Sequence, residues 1–326
     1  MKPFATIAVV LSFGAAAFAG VAGAQDPAAS YPSKPVRVFA MGAASASDFL
    51  ARYVAQRLGE RWGQPMVIDN QAGASGTIAT NTVAKSAPDG YNLVMGNLSN
   101  FISAGSLYKN LPYDPIKDFE PLSMVGTSIV VLVTHPSVPV SNAGELIAYA
   151  KQKGNLTYSS AGNGTLGHLV GELLKDATGI ALLHVPYKTP APAMIAIVSG
   201  EVQVSFLSPV SALGQLKAGK IRAMAVSSST RFVGTPDIPS AAEAGIPGMK
   251  ATLWFGFFTT AKTPRSIVMK LNREIGDILR RPEARAAILE QGFEAAPSTP
   301  EELGEWVKSE LALWTPIIQR AGIKLD

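Results

Sequence analysis

The chain has no cysteine and only three histidines in 326 residues. Disulfide staples and thiolate chemistry are thereby excluded, and a histidine-rich metal site has few ligands to draw on. Charge is also sparse, at 16% of residues against 47% hydrophobic, and the lysines and arginines are scattered among the acids. A net charge of +4 spread in this way forms no basic patch of the kind that grips nucleic acid, so no nucleic-acid partner is expected. There is no G-x-S-x-G, no P-loop, no H-E-x-x-H and no G-x-G-x-x-G following a strand, which removes the commoner catalytic and nucleotide-binding signatures. No catalytic residue and no cofactor are expected. His168 and Glu172 lie four apart on a predicted helix, but spacing indicates no third metal ligand, and His135 precedes Pro136 in a turn. No internal repeat is present and no low-complexity tract beyond the N-terminal leader, which sets aside solenoid and fibrous folds.

What is present begins with that leader. Lys2 precedes an apolar, small-residue run from Phe4 to Ala22, and Ala22-Gly-Ala24 offers a cleavage site before Gln25. Residues 1–24 therefore read as a secretory signal peptide, and the periplasm is the expected location. No later stretch reads as membrane-spanning. The remaining chain, about 300 residues, is long enough to bury a core without disulfides and to form two domains.

Short β-branched runs then alternate with helical patterns: Val36–Ala40, Leu50–Trp62, Met66–Asp69, Ile78–Lys85 and Tyr91–Met95. This βαβ rhythm predicts parallel strands. Ser128–Thr134 reads as one strand buried on both faces, after which the alternation resumes through Glu145–Gln152, Leu156–Ser159, Leu166–Thr178, Ala181–Pro186, Pro192–Ser199, Val202–Phe206, Ser211–Ala218 and Ile221–Ser227. Trp254–Thr259 is again a buried strand. Thr263-Pro264 and Thr299-Pro-Glu-Glu302 announce helix starts, the second with a capping box. Leu303, Trp306, Val307, Leu311, Trp314, Ile317 and Ile318 mark the last helix as packed on something already folded. The simplest topology is two doubly wound α/β lobes joined by crossing hinge strands, residues 25–127 with 255–326 forming one lobe and 128–254 the other.

Four Gly/Ser/Ala loops fall between strand ends and helix starts, where doubly wound sheets gather ligands. The first, Met41-Gly-Ala-Ala-Ser-Ala-Ser-Asp48, leads into a helix expected at Phe49 with Asp48 as its cap, so peptide N–H groups and two hydroxyls can face an anion. Asn70-Gln-Ala-Gly-Ala-Ser-Gly76 is the second, and is equally a turn that lets a helix approach closely. The third is Gly96-Asn-Leu-Ser99. The fourth, Tyr158-Ser-Ser-Ala-Gly-Asn-Gly-Thr165 followed by Leu166-Gly-His168, is a glycine-rich bend that presents free amides, although its Ser and Thr would serve equally as helix caps.

The segments Tyr31-Pro-Ser-Lys-Pro-Val-Arg37, Ala87-Pro-Asp-Gly-Tyr91, Leu111-Pro-Tyr-Asp-Pro-Ile-Lys-Asp-Phe119, Ser160-Ala-Gly-Asn-Gly-Thr165 with His168, His184-Val-Pro-Tyr-Lys188 and Ala241-Ala-Glu-Ala-Gly-Ile-Pro-Gly248 together resemble the substrate-binding receptors of tripartite tricarboxylate transporters, the Bug-type periplasmic binding proteins. The resemblance spans nearly the whole chain after the leader. It implies a two-lobed, type II-like periplasmic-binding-protein fold that closes on a small organic carboxylate held largely by backbone amides and bridging waters, and that delivers it to membrane transporter subunits. By position it places Ser160, Ala161, Gly162, Asn163, Thr165 and His168 at the ligand from one lobe. Ser45, Ala46, Ser47 and Asp48, with Asn97, Leu98 and Ser99, come from the other, and Tyr187 is a lesser candidate.

Two departures from the family pattern stand out. The usual P-x-x-G-G loop is replaced by Gly42-Ala-Ala-Ser-Ala-Ser47, and Leu207 occupies the position where many relatives carry an acid able to pair with a ligand ammonium. The ligand expected is therefore a mono- or dicarboxylate without an amino group, aromatic acids included. Leu207 packing in the core beside Phe206 is the alternative. A signalling receptor and a periplasmic hydrolase on the same frame are the other functional classes, and a monomer is expected.

Overall fold

The computed structural model describes residues 26–43, 45–71 and 73–323, so the predicted leader lies outside the described residues. The first lobe opens with β1 (Val36–Ala40), α1 (Ala46–Trp62), β2 (Met66–Asn70), α2 (Thr77–Ala84) and β3 (Asn92–Asn97), followed by a π-helical turn over Leu98–Ser103, the short α3 (Ala104–Leu107) and the long β4 (Phe119–Ser128). The second lobe runs β5 (Val131–Thr134), α4 (Ala143–Lys153), β6 (Leu156–Ser160), α5 (Leu166–Thr178), β7 (Leu182–Pro186), α6 (Pro190–Ser199), β8 (Val204–Leu207), α7 (Pro209–Lys217) and β9 (Arg222–Val226). The chain returns through β10 (Leu253–Thr260) and ends with α8 (Arg265–Leu279), α9 (Pro282–Glu290), β11 (Glu294–Ala295) and α10 (Pro300–Arg320).

Two sheets result, ordered β11-β4-β10-β3-β1-β2 and β7-β6-β8-β5-β9. The parallel rhythm read from the sequence holds for β2-β1-β3 in one and β7-β6-β8 in the other, whereas β4, β10 and β11, and likewise β5 and β9, pair antiparallel. Helices supply the parallel crossovers, and the chain changes lobe on antiparallel strands, from β4 to β5 and from β9 to β10.

The run Ser128–Thr134, expected as one strand, is the end of β4 and all of β5, in different sheets. Its apolar continuity reflects burial in two cores and not a single ladder. The earlier part of β4 escapes sequence reading because Pro121 and Gly126 argue against an interior strand. Register shifts between Phe255/Gly256 and Phe257/Phe258 on the partner β10 absorb both residues, since a bulge spares the missing proline N–H a ladder position. The expected cap of α8 is also corrected: the Thr263 hydroxyl donates to the Thr260 carbonyl, 2.8 Å, and Pro264 occupies the N-cap without a side-chain bond.

Both crossings meet at Ser227, which is fully buried. Its Oγ accepts from Val130 N on the outgoing segment (3.0 Å) and donates to the Ala251 carbonyl on the returning one (2.8 Å), while its own N–H and C=O bond the same two residues. Ser227→Ala is expected to leave the Val130 amide without an acceptor and to cost about 1–3 kcal/mol by urea denaturation. A loss under about 0.5 kcal/mol would show that the crossing does not depend on this hydroxyl.

The last helix joins the lobes a third way. Thr299 and Glu302 form the expected capping box, and Leu303, Val307, Trp314, Ile317 and Ile318 are buried against β4, the π-helical turn and α5 of the second lobe. Arg320 adds an exposed ion pair to Asp176, 2.6 Å, worth little by itself.

Candidate functional site

In each lobe three parallel neighbours end at one edge, so the loops that follow them collect there. On the first lobe, α1 begins three residues before the expected start and Ser45, not Asp48, is its cap: Ser45 Oγ accepts from Asp48 N at 3.1 Å and donates to the Gly42 carbonyl at 2.7 Å. Asp48 lies inside the first turn, its carboxylate taken by Arg52 Nε at 2.8 Å and Asn70 Nδ2 at 2.9 Å. The amides of Ala46 and Ser47 keep no protein acceptor among the described residues, and the buried Ser47 hydroxyl has none either. They sit where a 17-residue helix presents its positive end.

The second loop supports the first. Gly76, at φ +84°, leaves no room for a Cβ, which would lie 2.7 Å from Met41 Cγ. This is the close-approach role that the glycine suggested. In the third loop the side chains are internally committed: Asn97 Oδ1 caps Ser99 N at 2.7 Å, Asn97 Nδ2 approaches Met41 Sδ at 2.9 Å, and Leu98 is buried in the core. Ser99 is half-buried at the rim.

On the second lobe, Gly162 and Gly164 take φ values of +128° and +72°, conformations that favour glycine and let the chain double back after β6. Inside the bend, Gly162 N donates to Ser160 Oγ (3.1 Å), Gly164 N to His168 Nδ1 (3.2 Å) and Thr165 Oγ1 to the Gly162 carbonyl (2.7 Å). Thr165 is the N-cap residue of α5 but makes no side-chain cap. The amides of Ala161, Asn163, Leu166, Gly167 and His168 therefore lack a protein acceptor among the described residues. Ser160 and His168, which the sequence offered as ligand contacts, are both buried and brace the loop from behind.

The remaining candidates are committed elsewhere through their side chains. The Tyr187 hydroxyl donates to Glu201 at 2.7 Å, and its N–H ties the next loop to the Ser160 carbonyl. Leu207 is only 5% exposed and packs in the apolar cluster with Val131, Ile197, Ala212 and Phe232, as in the core alternative.

The two edges meet at one point in particular: a Cβ on Gly164 would stand 2.8 Å from Leu107 Cδ1, so the fourth loop rests on α3 of the opposite lobe. A cavity of about 620 Å³ also touches the site, lined by Ser45, Ala46 and Asp48 and then by Phe49, Arg52 and Tyr53 along α1. None of the fourth-loop residues lines it. Of the amides without acceptors, this cavity is bordered only by those of the first lobe.

No acid among the candidates is left to face a cation, Asp48 being paired and Glu172 holding Lys175 at 2.8 Å. Among the described residues no cluster of three or more His, Cys, Asp or Glu could hold a metal ion, and no helix is long and apolar enough to cross a membrane.

Two α/β lobes with crossing strands and facing, amide-rich edges define the periplasmic-binding-protein class. Within it, the chain belongs to the tripartite tricarboxylate transporter receptor family, whose model matches residues 50–323. The family consists of periplasmic solute receptors. The chain is 33% identical over 312 residues to the protein BugT of Bordetella pertussis, covering 95% of each chain. Among solved structures it is similar to Rpa4515 of R. palustris with adipate (TM-score 0.77, 33% identity, 90% of this chain and 100% of that one). It is also similar to MatC of Rhodopseudomonas palustris with bound malate (TM-score 0.72, 30% identity, 88% and 100%).

Proposed function

We propose that the protein is a periplasmic receptor that closes its two lobes on a small organic carboxylate without an amino group and delivers it to a membrane transporter. The observation that carries this reading is the pair of helix entrances, α1 and α5, where the amides of Ala46 and Ser47 and of Leu166 to His168 lack protein acceptors among the described residues, in lobes that touch at Leu107 and Gly164. Peptide N–H groups at the positive end of a helix suit a carboxylate. The adipate and malate held by similar proteins support the ligand class. Leu207 lies in the apolar core and Asp48 is held in an ion pair, so among the described candidate residues no unpaired carboxylate is offered to a ligand ammonium. In this reading residues 1–24 are removed on export, residues 25–127 with 255–326 close against 128–254, and the receptor acts as a monomer.

Calorimetry tests it. Adipate, malate and benzoate stand for amino-free acids, and aspartate and glutamate for their amino counterparts. At least one amino-free acid is expected to bind, and at a hundredfold excess over Kd to stabilise the fold by about 2.7 kcal/mol. Tight binding of aspartate or glutamate alone would overturn the ligand class, and silence across a broad panel of carboxylates would overturn the receptor reading.

A further inference from the structure

His184 projects from β7 at the register position opposite Tyr158 on β6, so both side chains leave the same face of the sheet. Their rings stack at 4.8 Å, and His168, in the first turn of α5, covers the other face of His184 at 3.8 Å with 15° between planes. The Tyr158 hydroxyl donates to Glu172 Oε1 at 2.9 Å, and Glu172 pairs with Lys175. These are the titratable groups around the pair. The ring stack lies directly beneath the fourth loop, and both imidazoles bond into it: His184 Nε2 meets Ser160 Oγ at 2.6 Å, and His168 Nδ1 accepts from Gly164 N.

Resting on the carboxylate reading above, we infer that His184 is a positioning residue for the ligand loop, acting through Ser160 to hold the bend in the form that leaves the Ala161 and Asn163 amides open. Ser160 Oγ takes up the Gly162 amide, so the side chains absorb the N–H groups that point inward and the outward ones stay available. The contact is not a nucleophile poised beside a base. Ser160 is 2% exposed, and burial first of all, with Lys175 nearby and, for His184, the adjacent His168, pushes both histidines down to about 4, too weakly basic to activate a hydroxyl at neutral pH. Neutral rings are also what the geometry requires, since His168 Nδ1 accepts a hydrogen bond and two imidazolium rings would repel at this separation.

The test compares His184→Phe, which keeps a ring without the hydrogen bond, with His184→Gln, whose amide can still reach Ser160. It adds Ser160→Ala and the double variant His184→Phe/Ser160→Ala. With the acid that wild type binds best, His184→Phe and Ser160→Ala are each expected to weaken affinity about tenfold or more, the double variant to be no worse than the poorer single one, and His184→Gln to stay within about threefold of wild type. Wild-type affinity in His184→Phe, or losses that multiply in the double variant, would overturn the coupling. Amide hydrogen exchange without ligand reads the loop itself, with Gly162 and Gly164 losing about tenfold protection in His184→Phe but not in His184→Gln. Unchanged protection would overturn the positioning role even if no carboxylate bound, an outcome that separately defeats the carboxylate reading. Should His184→Phe fail to fold, Ser160→Ala carries both measurements.

Discussion

Gly171→Ala is expected to destabilise the protein by about 3 kcal/mol, near the top of what overpacking a core costs, although alanine is the better helix former by about 1 kcal/mol. A Cβ at this position in α5 would lie 2.3 Å from Tyr158 Cε2 and 2.7 Å from its hydroxyl. Tyr158 has nowhere to go: it is fully buried, its ring stacks on His184, and its hydroxyl is held by Glu172. The backbone of α5 must therefore move away from β6, and it carries with it the helix entrance that faces the cleft. Gly214 in α7 is the control, because a Cβ there meets nothing within 4 Å. Gly214→Ala is expected to be neutral or to stabilise by up to about 1 kcal/mol. Equal denaturation midpoints for the two variants would refute the close helix-to-strand contact.

The second large effect is expected at Glu310, a buried carboxyl in α10 whose Oε2 accepts from Trp254 Nε1 at 3.2 Å and Trp314 Nε1 at 3.0 Å. Burial pushes it up to about 7 from an ordinary 4.5, against the opposing pull of the two indole donors. Below pH 4.5 it is protonated in both folded and unfolded chains and its contribution to stability is complete. As pH rises toward 7 the unfolded chain loses its proton first, so folding stability declines and then levels off above the folded value. The whole change amounts to about 3 kcal/mol. Glu310→Gln keeps an acceptor for both indoles and cannot ionise, so its stability relative to wild type should grow by that amount between pH 4.5 and 8. A difference independent of pH would mean that the carboxyl titrates normally. Glu310→Ala should instead cost about 3–5 kcal/mol below pH 4.5, from two buried indole N–H groups without acceptors and the space left between β10 and α10, and that cost should shrink toward pH 8 because alanine, like glutamine, cannot ionise.

Neither of these positions stood out in the sequence, for different reasons. Glu310 lies three residues after Val307 and four before Trp314, so the helical period alone puts it on the buried stripe of α10. A single acid on an apolar face is the available signal, weaker than the apolar pattern that surrounds it. Gly171 carried no such signal, because only the packing of α5 over β6 brings it against Tyr158, thirteen residues earlier. The same holds for His184, which reaches Ser160 across a strand pair whose register no local pattern reveals.

The alternation of short β-branched runs with amphipathic helices was enough to establish two α/β units, and the glycine-rich bends were placed correctly at strand ends. Both follow from local preferences that a few adjacent residues impose on their own backbone. What the sequence could not settle was which peptide groups in those bends remain open. Ser45 rather than Asp48 caps α1, Thr165 turns its hydroxyl to Gly162 and leaves α5 uncapped, and Ser160 and His168 are consumed inside the loop. Nor could it divide Ser128–Thr134 between two sheets or send Leu207 into the core. Those outcomes depend on hydrogen-bond partners and apolar neighbours that lie far along the chain and meet only after the two sheets have packed, so the tertiary structure alone decided them.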